Sequence, residues 1–292
     1  MAEQKQALST AATTAWLHLL KKTLIRYPLD HADFEMAREL SAVPPAQRQE
    51  IERWIEANKH GEIHEGGSDL AARAQGKDWP ATAETMVGLF RMDDIHFCML
   101  DVLHRKVPGD FAEAGVWRGG VGIMMRALLM AHGERRRNVW LADSFEGCPA
   151  PDAKNFPADS NDPHWTHPEL AVSLEQVKKN FARYDLLDGQ VNFLPGWFRD
   201  TLLKAPIKKL ALLHVDGDMY ESTIQILQGL YDKVSPGGYV IIDDYGAVEG
   251  CRRAVDDFRE QRGINAELKH IDWTEVRWRV PLDKDRIEAK AQ

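Results

Sequence analysis

Several features that define common protein classes are scarce or missing in this 292-residue chain. Cysteine is scarce: Cys98, Cys148 and Cys251 are widely spaced and odd in number, which argues against a disulfide framework or a thiolate metal site. No apolar run approaches the ~18 residues of a membrane span. The N-terminus also lacks the basic start and apolar block of a secretory signal. We therefore expect a protein of the reducing cytoplasm that does not associate with a membrane.

An excess of positive charge is missing as well. The formal net charge is −8 and the pI is near 5.8, which disfavours a nucleic acid or an anionic membrane as a partner. The hydrophobic content of 44% and the charged content of 28% are ordinary for a soluble globular protein. A chain of this length can form one large domain, or one domain with an added subdomain.

The most informative feature that is present is a set of carboxylates after two apolar runs, at 210–215 and 239–242. Runs of this kind suit strands buried on both faces of a parallel sheet. The carboxylates that follow them are Asp216 and Asp218 after the first run, and Asp243 and Asp244 after the second. Because ligands of open α/β sheets bind outside the carboxyl ends of the strands, the four side chains are expected to share one crevice.

Four carboxylates in one crevice repel each other unless a cation lies among them. An all-oxygen site suits Mg²⁺ or Ca²⁺ rather than Zn²⁺. The alternative is that the acids cap the following helices or pair with Arg252 and Arg253. His164 and His167 are a weaker metal-site hypothesis, because the oxygen ligands at the strand ends compete better.

A strand, a glycine-containing turn and a helix follow one another from Asp110 to Met130. Glycine lets a ligand approach the backbone of such a turn closely. The spacing from Glu113 through Gly115 differs from the dinucleotide pattern Gly-x-Gly-x-x-Gly, so a nicotinamide cofactor is disfavoured. The alternative is that Gly115 serves only a tight strand-to-helix turn.

A second apolar strand, beginning at Val139, ends in Asp143. An acid at this place commonly holds the hydroxyls of a ribose; the alternative is a chelating or helix-capping role. Trp197 and Phe198 follow a further strand, where stacking on a purine and packing in the core are both open.

The chain divides, by pattern, into two predicted parts. Residues 1–75 form a helical N-terminal addition, in which the apolar positions from Trp16 to Leu24 have helical spacing. Residues 76–292 form an α/β domain whose mostly parallel sheet ends in an antiparallel hairpin, Ala266–Ile271 with Glu275–Val280. The stretch at about 146–170 is rich in proline and aspartate, lacks periodicity, and is interpreted as a lid loop.

The glycine turn, the acid at residue 143 and the late hairpin together describe a Rossmann-like class I S-adenosylmethionine methyltransferase fold. Beyond the fold, the chain resembles the macrocin O-methyltransferase family, the magnesium-dependent sugar methyltransferases of antibiotic biosynthesis. The resemblance covers roughly residues 15–280. The matching segments are Leu17–Leu24, Thr85–Gly88, Gly115–Gly120, Asp143–Gly147, Asp216–Thr223 and Ser235–Gly246.

The resemblance implies roles for individual residues toward S-adenosylmethionine. The residues implied to bind it are Thr85, Met86, Glu113, Gly115, Trp117, Gly119, Asp143, Ser144, Trp197, Phe198 and Asp216. Asp143 would hold the ribose and Ser144 would lie beside the adenine. Trp197 and Phe198 would form the wall of the adenine site.

The resemblance also implies a metal centre and a base: Asp216, Asp243 and Asp244 would bind Mg²⁺, and Asp218 would be the general base. The expected reaction is methyl transfer to a hydroxyl of a sugar diol on a glycosylated natural product, and we expect a homo-oligomer, a dimer or higher. The sequence departs from the family's pattern around 146–170, where Cys148 replaces a more usual leucine, so the acceptor is not identified. A catechol-type phenol methyltransferase and, further away, a metal-dependent hydrolase are the alternatives.

Overall fold

The structure is a computed structural model that describes residues 10–27, 45, 47–49, 51, 53 and 70–282. Contacts divide these residues into two units. The first comprises the described residues up to Met92 with Arg118–Arg137 and Glu175–Gln190; the second comprises Asp93–Trp117, Asn138–Leu174 and the described residues from Val191. The domain boundary expected near residue 75 stays a prediction.

The second unit contains a seven-stranded sheet in the order β3-β2-β1-β4-β5-β7-β6. Its strands are β1 (Asp110–Ala114), β2 (Val139–Asp143), β3 (Val191–Pro195), β4 (Leu210–Val215), β5 (Val234–Ile242), β6 (Lys269–His270) and β7 (Val276–Arg279). Strands β1 to β5 pair in parallel, whereas β7 pairs antiparallel with both β5 and β6. This topology confirms the predicted α/β class and the C-terminal hairpin, although β6 is shorter than expected.

Strand β5 begins earlier than its apolar residues indicate. The stretch Ser235–Gly238 is typical of a turn, yet it lies within the strand. The pairing absorbs the additional residues: Leu210 pairs with Val234, while Leu212 pairs with Tyr239. Gly237, with φ +83°, adopts the left-handed backbone that such an irregularity requires.

Among the described residues, the α-helices with defined bounds are α1 (Thr10–Leu24), α2 (Leu70–Ala74), α3 (Leu89–His104), α4 (Gly120–Ala131), α5 (Leu174–Arg183), α6 (Phe198–Thr201), α7 (Tyr220–Leu230) and α8 (Glu249–Arg262). In the second unit, α7 and α8 pack against each other and against the sheet. Their apolar faces, including Leu227 and Phe258, join the side chains of Val215 and Ile242 in one core cluster. Burial of each such side chain contributes about 1.5–3 kcal/mol, which fixes the ends of β4 and β5 relative to these helices.

In the first unit, α1 packs against α4. The helical face predicted for α1 is confirmed, since Trp16, Leu20 and Leu24 are completely buried. Lys21 and Lys22 lie in its last turn, where positive charge opposes the negative end of the helix dipole.

Candidate active site

The register of the sheet brings the predicted acidic residues to one edge. Val215 at the end of β4 pairs with Ile242 at the end of β5, so Asp216 and Asp243 are the next residues on adjacent strands. The backbone N–H of Asp243 donates to the carbonyl of Val215 at 2.9 Å, which extends the pairing into the site. The strand ends therefore hold these two carboxylates at neighbouring positions on one edge of the sheet.

One carboxylate oxygen from each of Asp216, Asp243 and Asp244 lies within 4.8 Å of the other two. Asp243 and Asp244 are buried, with exposures of 4% and 8%. Burial, followed by the negative charges of neighbouring carboxylates, raises the pKa of Asp216 well above its usual value. Three clustered oxygen donors suit a hard divalent cation such as Mg²⁺, so the residues present fit the ion that the sequence predicts.

Asp218 lies on a strained turn directly after this group. Its φ is +53°, and the N–H of Met219 donates to the carbonyl of Gly217 at 2.6 Å across it. A three-residue turn with positive φ at its centre is rare, and such strain costs about 1–3 kcal/mol. The N–H of Asp218 donates to Asp244 Oδ2 at 3.0 Å, which ties the turn to the carboxylate group.

His164 was not predicted to be the partner of Asp218. Its Nδ1 lies 2.8 Å from Asp162 Oδ1, and its Nε2 lies 3.5 Å from Asp218 Oδ1. The hydrogen bond to Asp162, with the charges of Asp218 and Asp244, raises the pKa of His164 to about 9. Burial raises the pKa of Asp218, and the positive charge of His164 opposes that increase. His164 thus favours the ionised form of the carboxylate that the sequence predicts as the base.

The predicted lid segment, 146–170, is held against the start of α7. Asp159 is almost completely buried and accepts hydrogen bonds from the N–H groups of Tyr220 and Glu221, at 2.7 and 2.8 Å. A carboxylate at a helix N-terminus satisfies N–H groups that have no partner inside the helix and opposes the helix dipole. A second contact joins Trp117 Nε1 to the carbonyl of Glu169 at 2.9 Å. These contacts explain how His164 is positioned, although opening and closing of the segment stays a prediction.

The turn after β1 requires glycine at residue 115. Gly115 has φ +92°, and a Cβ atom built there would lie 1.6 Å from the carbonyl oxygen of Asp216. No other residue fits this approach of the β1 turn to the end of β4. The predicted cofactor turn and the predicted metal ligands are therefore adjacent.

Asp143 connects the end of β2 to the same turn. Its Oδ2 accepts from the N–H of Val116 at 2.6 Å, and its Oδ1 accepts from the N–H of Phe145 at 2.7 Å. Ser144 Oγ donates to the carbonyl of Gly147 at 2.8 Å. Since each carboxylate oxygen accepts more than one hydrogen bond, these contacts leave capacity for ribose hydroxyls. Ribose binding by Asp143 stays a prediction.

Trp197 and Phe198 follow β3, and both side chains are half-buried. Trp197 is the residue immediately before α6, and the guanidinium of Arg199 lies 5.8 Å from the centre of its ring. Phe198 packs against the core cluster, which is the packing role that the sequence left open. The adenine wall stays a prediction for both residues.

The remaining predicted cofactor residues, Thr85, Met86 and Gly119, belong to the first unit. Gly119 has φ +91° and precedes α4, whose first N–H, that of Gly120, donates to the carbonyl of Glu84 at 3.0 Å. A Cβ atom on Gly120 would lie 2.6 Å from Thr85 Cβ, so Thr85 lies against the start of α4. Their roles toward the cofactor stay predictions.

Comparison with known protein families agrees with the fold and with the resemblance seen in the sequence. The profile of the macrocin-O-methyltransferase family matches residues 13–280. The chain is 52% identical over 218 residues to 8-demethyl-8-(2,3-dimethoxy-alpha-L-rhamnosyl)-tetracenomycin-C 4'-O-methyltransferase of Streptomyces olivaceus, covering 74% of this chain and 83% of that protein. It is 44% identical over 222 residues to mycinamicin III 3''-O-methyltransferase of Micromonospora griseorubida, covering 75% and 87%.

Among solved structures, that of the O-methyltransferase NovP superimposes with a TM-score of 0.76 at 43% sequence identity, covering 92% of this chain and 99% of NovP. The calicheamicin methyltransferase CalS11, at 19% identity and a TM-score of 0.55, shares the fold. None of the helices in the described residues is long and apolar enough to cross a bilayer. The predicted fold and enzyme class are confirmed: the chain belongs to the macrocin-O-methyltransferase family and is an S-adenosylmethionine-dependent O-methyltransferase.

Proposed function

We propose that this enzyme methylates a hydroxyl of a sugar carried by a natural product, with Mg²⁺ held by Asp216, Asp243 and Asp244 and with Asp218 as the general base. The convergence of the three carboxylates beside Asp218 is the observation that carries the proposal. The relatives named above act on a rhamnosyl tetracenomycin and on mycinamicin III, which supports a glycosylated acceptor. The hydrolase alternative is incompatible with the family.

The chemistry needs an ionised or partly ionised acceptor oxygen. When bound, a divalent cation supplies positive charge that favours loss of a proton from a nearby hydroxyl. Asp218 accepts that proton on its carboxylate, and its N–H contact with Asp244 keeps it beside the ligand group. Burial raises the pKa of Asp218, and the charge of His164 opposes that increase and so favours the ionised form that can accept a proton.

Methyl transfer itself requires alignment rather than covalent participation of the protein. The acceptor oxygen forms a bond to the methyl carbon as the bond from that carbon to the sulfonium sulfur breaks, which leaves S-adenosylhomocysteine as the product. The closely packed turns at Gly115 and Asp218 hold the two sides of the site in a fixed relation, and such positioning supplies a large part of the rate.

Purified protein with labelled S-adenosylmethionine tests the acceptor. We expect glycosides whose free hydroxyl has an oxygen on a neighbouring carbon, as hydroxyl or methoxy, to be methylated, and matched deoxy glycosides without that oxygen to react at least about tenfold more slowly, because two neighbouring oxygens fix orientation better than one. Equal rates for a glycoside whose hydroxyl has no oxygen on a neighbouring carbon would contradict the preference for two neighbouring oxygens. A catechol methylated in preference to every sugar would favour the phenol alternative.

Metal removal tests the carboxylate group in the same assay. Activity is expected to disappear in excess chelator and to return with Mg²⁺, while Zn²⁺ restores it poorly because the donors are all oxygens. Binding of S-adenosylhomocysteine in the presence of chelator, measured by calorimetry, shows that the protein remains folded without the metal. Full activity in chelator would contradict the metal assignment.

A further inference from the structure

A histidine with no role in the proposed reaction lies between the two halves of the site. His214 is on β4, flanked by β1 and β5, and its side chain is completely buried. A buried strand position of this kind is ordinarily apolar. The polar ring at residue 214 therefore needs a partner inside the sheet.

Both ring nitrogens of His214 face carboxylates. Nδ1 lies 3.8 Å from Glu113 Oε1, and Nε2 lies 3.7 Å from Asp243 Oδ1. Within the described residues, neither nitrogen has a hydrogen-bond partner at normal distance. Glu275 is also buried, and one of its oxygens lies within 4.8 Å of ligand atoms of His214 and Asp243. The ring thus bridges a predicted cofactor residue and a predicted metal ligand.

The His214–Asp243–Glu275 group has the composition of a second metal site, but Mg²⁺ favours the other group. Mg²⁺ prefers oxygen ligands, and the group of Asp216, Asp243 and Asp244 supplies three carboxylates without a nitrogen. Since Asp243 belongs to both groups, an ion held by the three carboxylates would act on His214 through Asp243.

We propose that His214 is a positioning residue that couples binding of the cofactor at Glu113 to binding of the divalent cation at Asp243. This inference rests on the proposed function, because it takes Glu113 and Asp243 to have the roles given above. Each contact is about 0.7–1 Å longer than a normal hydrogen bond, so a small movement of either carboxylate forms or removes it.

The coupling is expected to be positive. A cation that holds Asp243 in place also restricts the His214 ring, because Nε2 of the ring faces Asp243. The restricted ring in turn holds Glu113 in place, because Nδ1 faces Glu113. A ligand that binds residues already ordered by another ligand loses less conformational entropy, which gives cooperativity without a change of fold. By linkage, the cofactor must increase the affinity for the cation by the same factor.

Titration calorimetry with S-adenosylhomocysteine, in chelator and in saturating Mg²⁺, tests the coupling without catalysis. For the unchanged enzyme we expect Mg²⁺ to tighten binding by about fivefold or more. In His214→Gln the ratio of the two dissociation constants is expected to fall close to one, while each ligand still binds. His132→Gln, the same change at an exposed position after α4, should keep the full ratio.

The outcomes separate the inference from the proposed function. The coupling role is overturned if His214→Gln binds both ligands and Mg²⁺ changes its dissociation constant for S-adenosylhomocysteine by the same factor as in the unchanged enzyme. Failure of the unchanged enzyme to bind either ligand overturns the proposed function first, and the inference with it. If the unchanged enzyme binds two ions per chain and His214→Gln binds one, His214 is a metal ligand, and the proposed coupling role is overturned.

Nitrogen NMR of the unchanged enzyme, labelled in histidine, avoids dependence on a variant that fails to fold. We expect the ring resonances of His214 to shift on addition of either ligand alone, and the shift caused by the second ligand to depend on the first. Resonances that respond to only one ligand, or to both additively, would overturn the proposal.

Discussion

Acidic side chains have opposite surroundings in the two units. In the first unit Glu84, with 2% of its side chain exposed, lies 2.9 Å from a guanidinium nitrogen of Arg26 and 2.9 Å from one of Arg183. In the second unit the groups that act most strongly on Asp216 after burial are further carboxylates, those of Asp243 and Asp244. The carboxylate in the first unit is therefore paired with positive groups, whereas the carboxylate in the second unit lies beside further negative groups.

The difference distinguishes a structural site from a ligand site. A buried acid between two guanidinium groups has its charge compensated by the fold, so its removal affects stability. A cluster of acids whose burial and mutual repulsion raise a pKa has no such compensation from the fold, and it favours binding of a proton or of a cation from outside. Glu84 is thus expected to matter for folding, and Asp216 and its neighbours for binding and catalysis.

The largest effect is expected for Asp218→Asn, which tests the catalytic side of the comparison. Asparagine keeps the size of the side chain and tolerates the positive φ of +53°, but it cannot accept a proton at neutral pH. The rate of methyl transfer should fall by about 100- to 10,000-fold, the usual range for loss of a general base. Initial rates with saturating cofactor measure the fall.

The control for Asp218→Asn is Asp257→Asn, at an exposed position on α8. This variant should retain the rate of the unchanged enzyme. In Asp218→Asn the dissociation constants for Mg²⁺ and S-adenosylhomocysteine should change little. A fall in metal affinity that matches the fall in rate would make Asp218 a fourth ligand instead of the base.

Next in size is the loss of stability in Glu84→Gln. The substitution leaves two guanidinium groups without their shared negative charge, and breaking a buried ion pair in this way costs about 3–5 kcal/mol. The free energy of unfolding at neutral pH, from urea denaturation, measures the cost.

Asp216→Asn is the matched variant for Glu84→Gln, because it also replaces a carboxylate by an amide. In chelator its free energy of unfolding should equal or exceed that of the unchanged protein, since it removes repulsion, whereas Mg²⁺ binding is lost. A large loss of stability in Asp216→Asn, or none in Glu84→Gln, would remove the distinction between the two groups.

The two groups of carboxylates also differ in how far the sequence could predict them. Apolar runs followed by acids predict both the strands and the place of Asp216 and Asp243, because parallel strands end at the same edge of a sheet. The early start of β5 was not predicted, since Ser235–Gly238 has the composition of a turn and only its pairing with β4 shows otherwise. The sequence pattern therefore predicts the positions of site residues only where they follow a regular strand.

Contacts between distant segments were not predictable. His164 reaches Asp218 because Asp159 caps a helix that begins about sixty residues later, and the segment 146–170 has no periodicity that would indicate it. Glu84 meets Arg26 and Arg183 by tertiary packing, and none of the three stands in a recognisable motif. His214 lies within a stretch that the sequence singles out, but only the register shows that its ring lies between Glu113 and Asp243.

A smaller effect is expected for Asp143→Ala, which tests the cofactor half of the ligand site. If Asp143 accepts the ribose hydroxyls as proposed, its replacement should weaken S-adenosylmethionine binding by about 1–3 kcal/mol. Calorimetry measures the change, and Asp200→Ala, at an exposed residue of α6, is the control. Because Asp143 also accepts two backbone N–H groups, the unfolding free energy is measured in parallel. Unchanged affinity in a folded variant would contradict the ribose assignment.

The smallest effect is a dependence of stability on pH. It concerns His164, whose positive charge acts on Asp218. The groups that raise its pKa from 6.5 to about 9 are Asp162, Asp218 and Asp244. Since the folded state binds the proton more tightly than the unfolded state, this stabilisation is complete below pH 6.5 and is lost as the pH rises to about 9. Partial exposure limits its size to about 1–2 kcal/mol. Urea denaturation in chelator should show the decline, which His164→Gln should abolish and which His167→Gln, on the same segment, should keep. An equal decline in His164→Gln would show that His164 does not carry the charge that opposes the carboxylates.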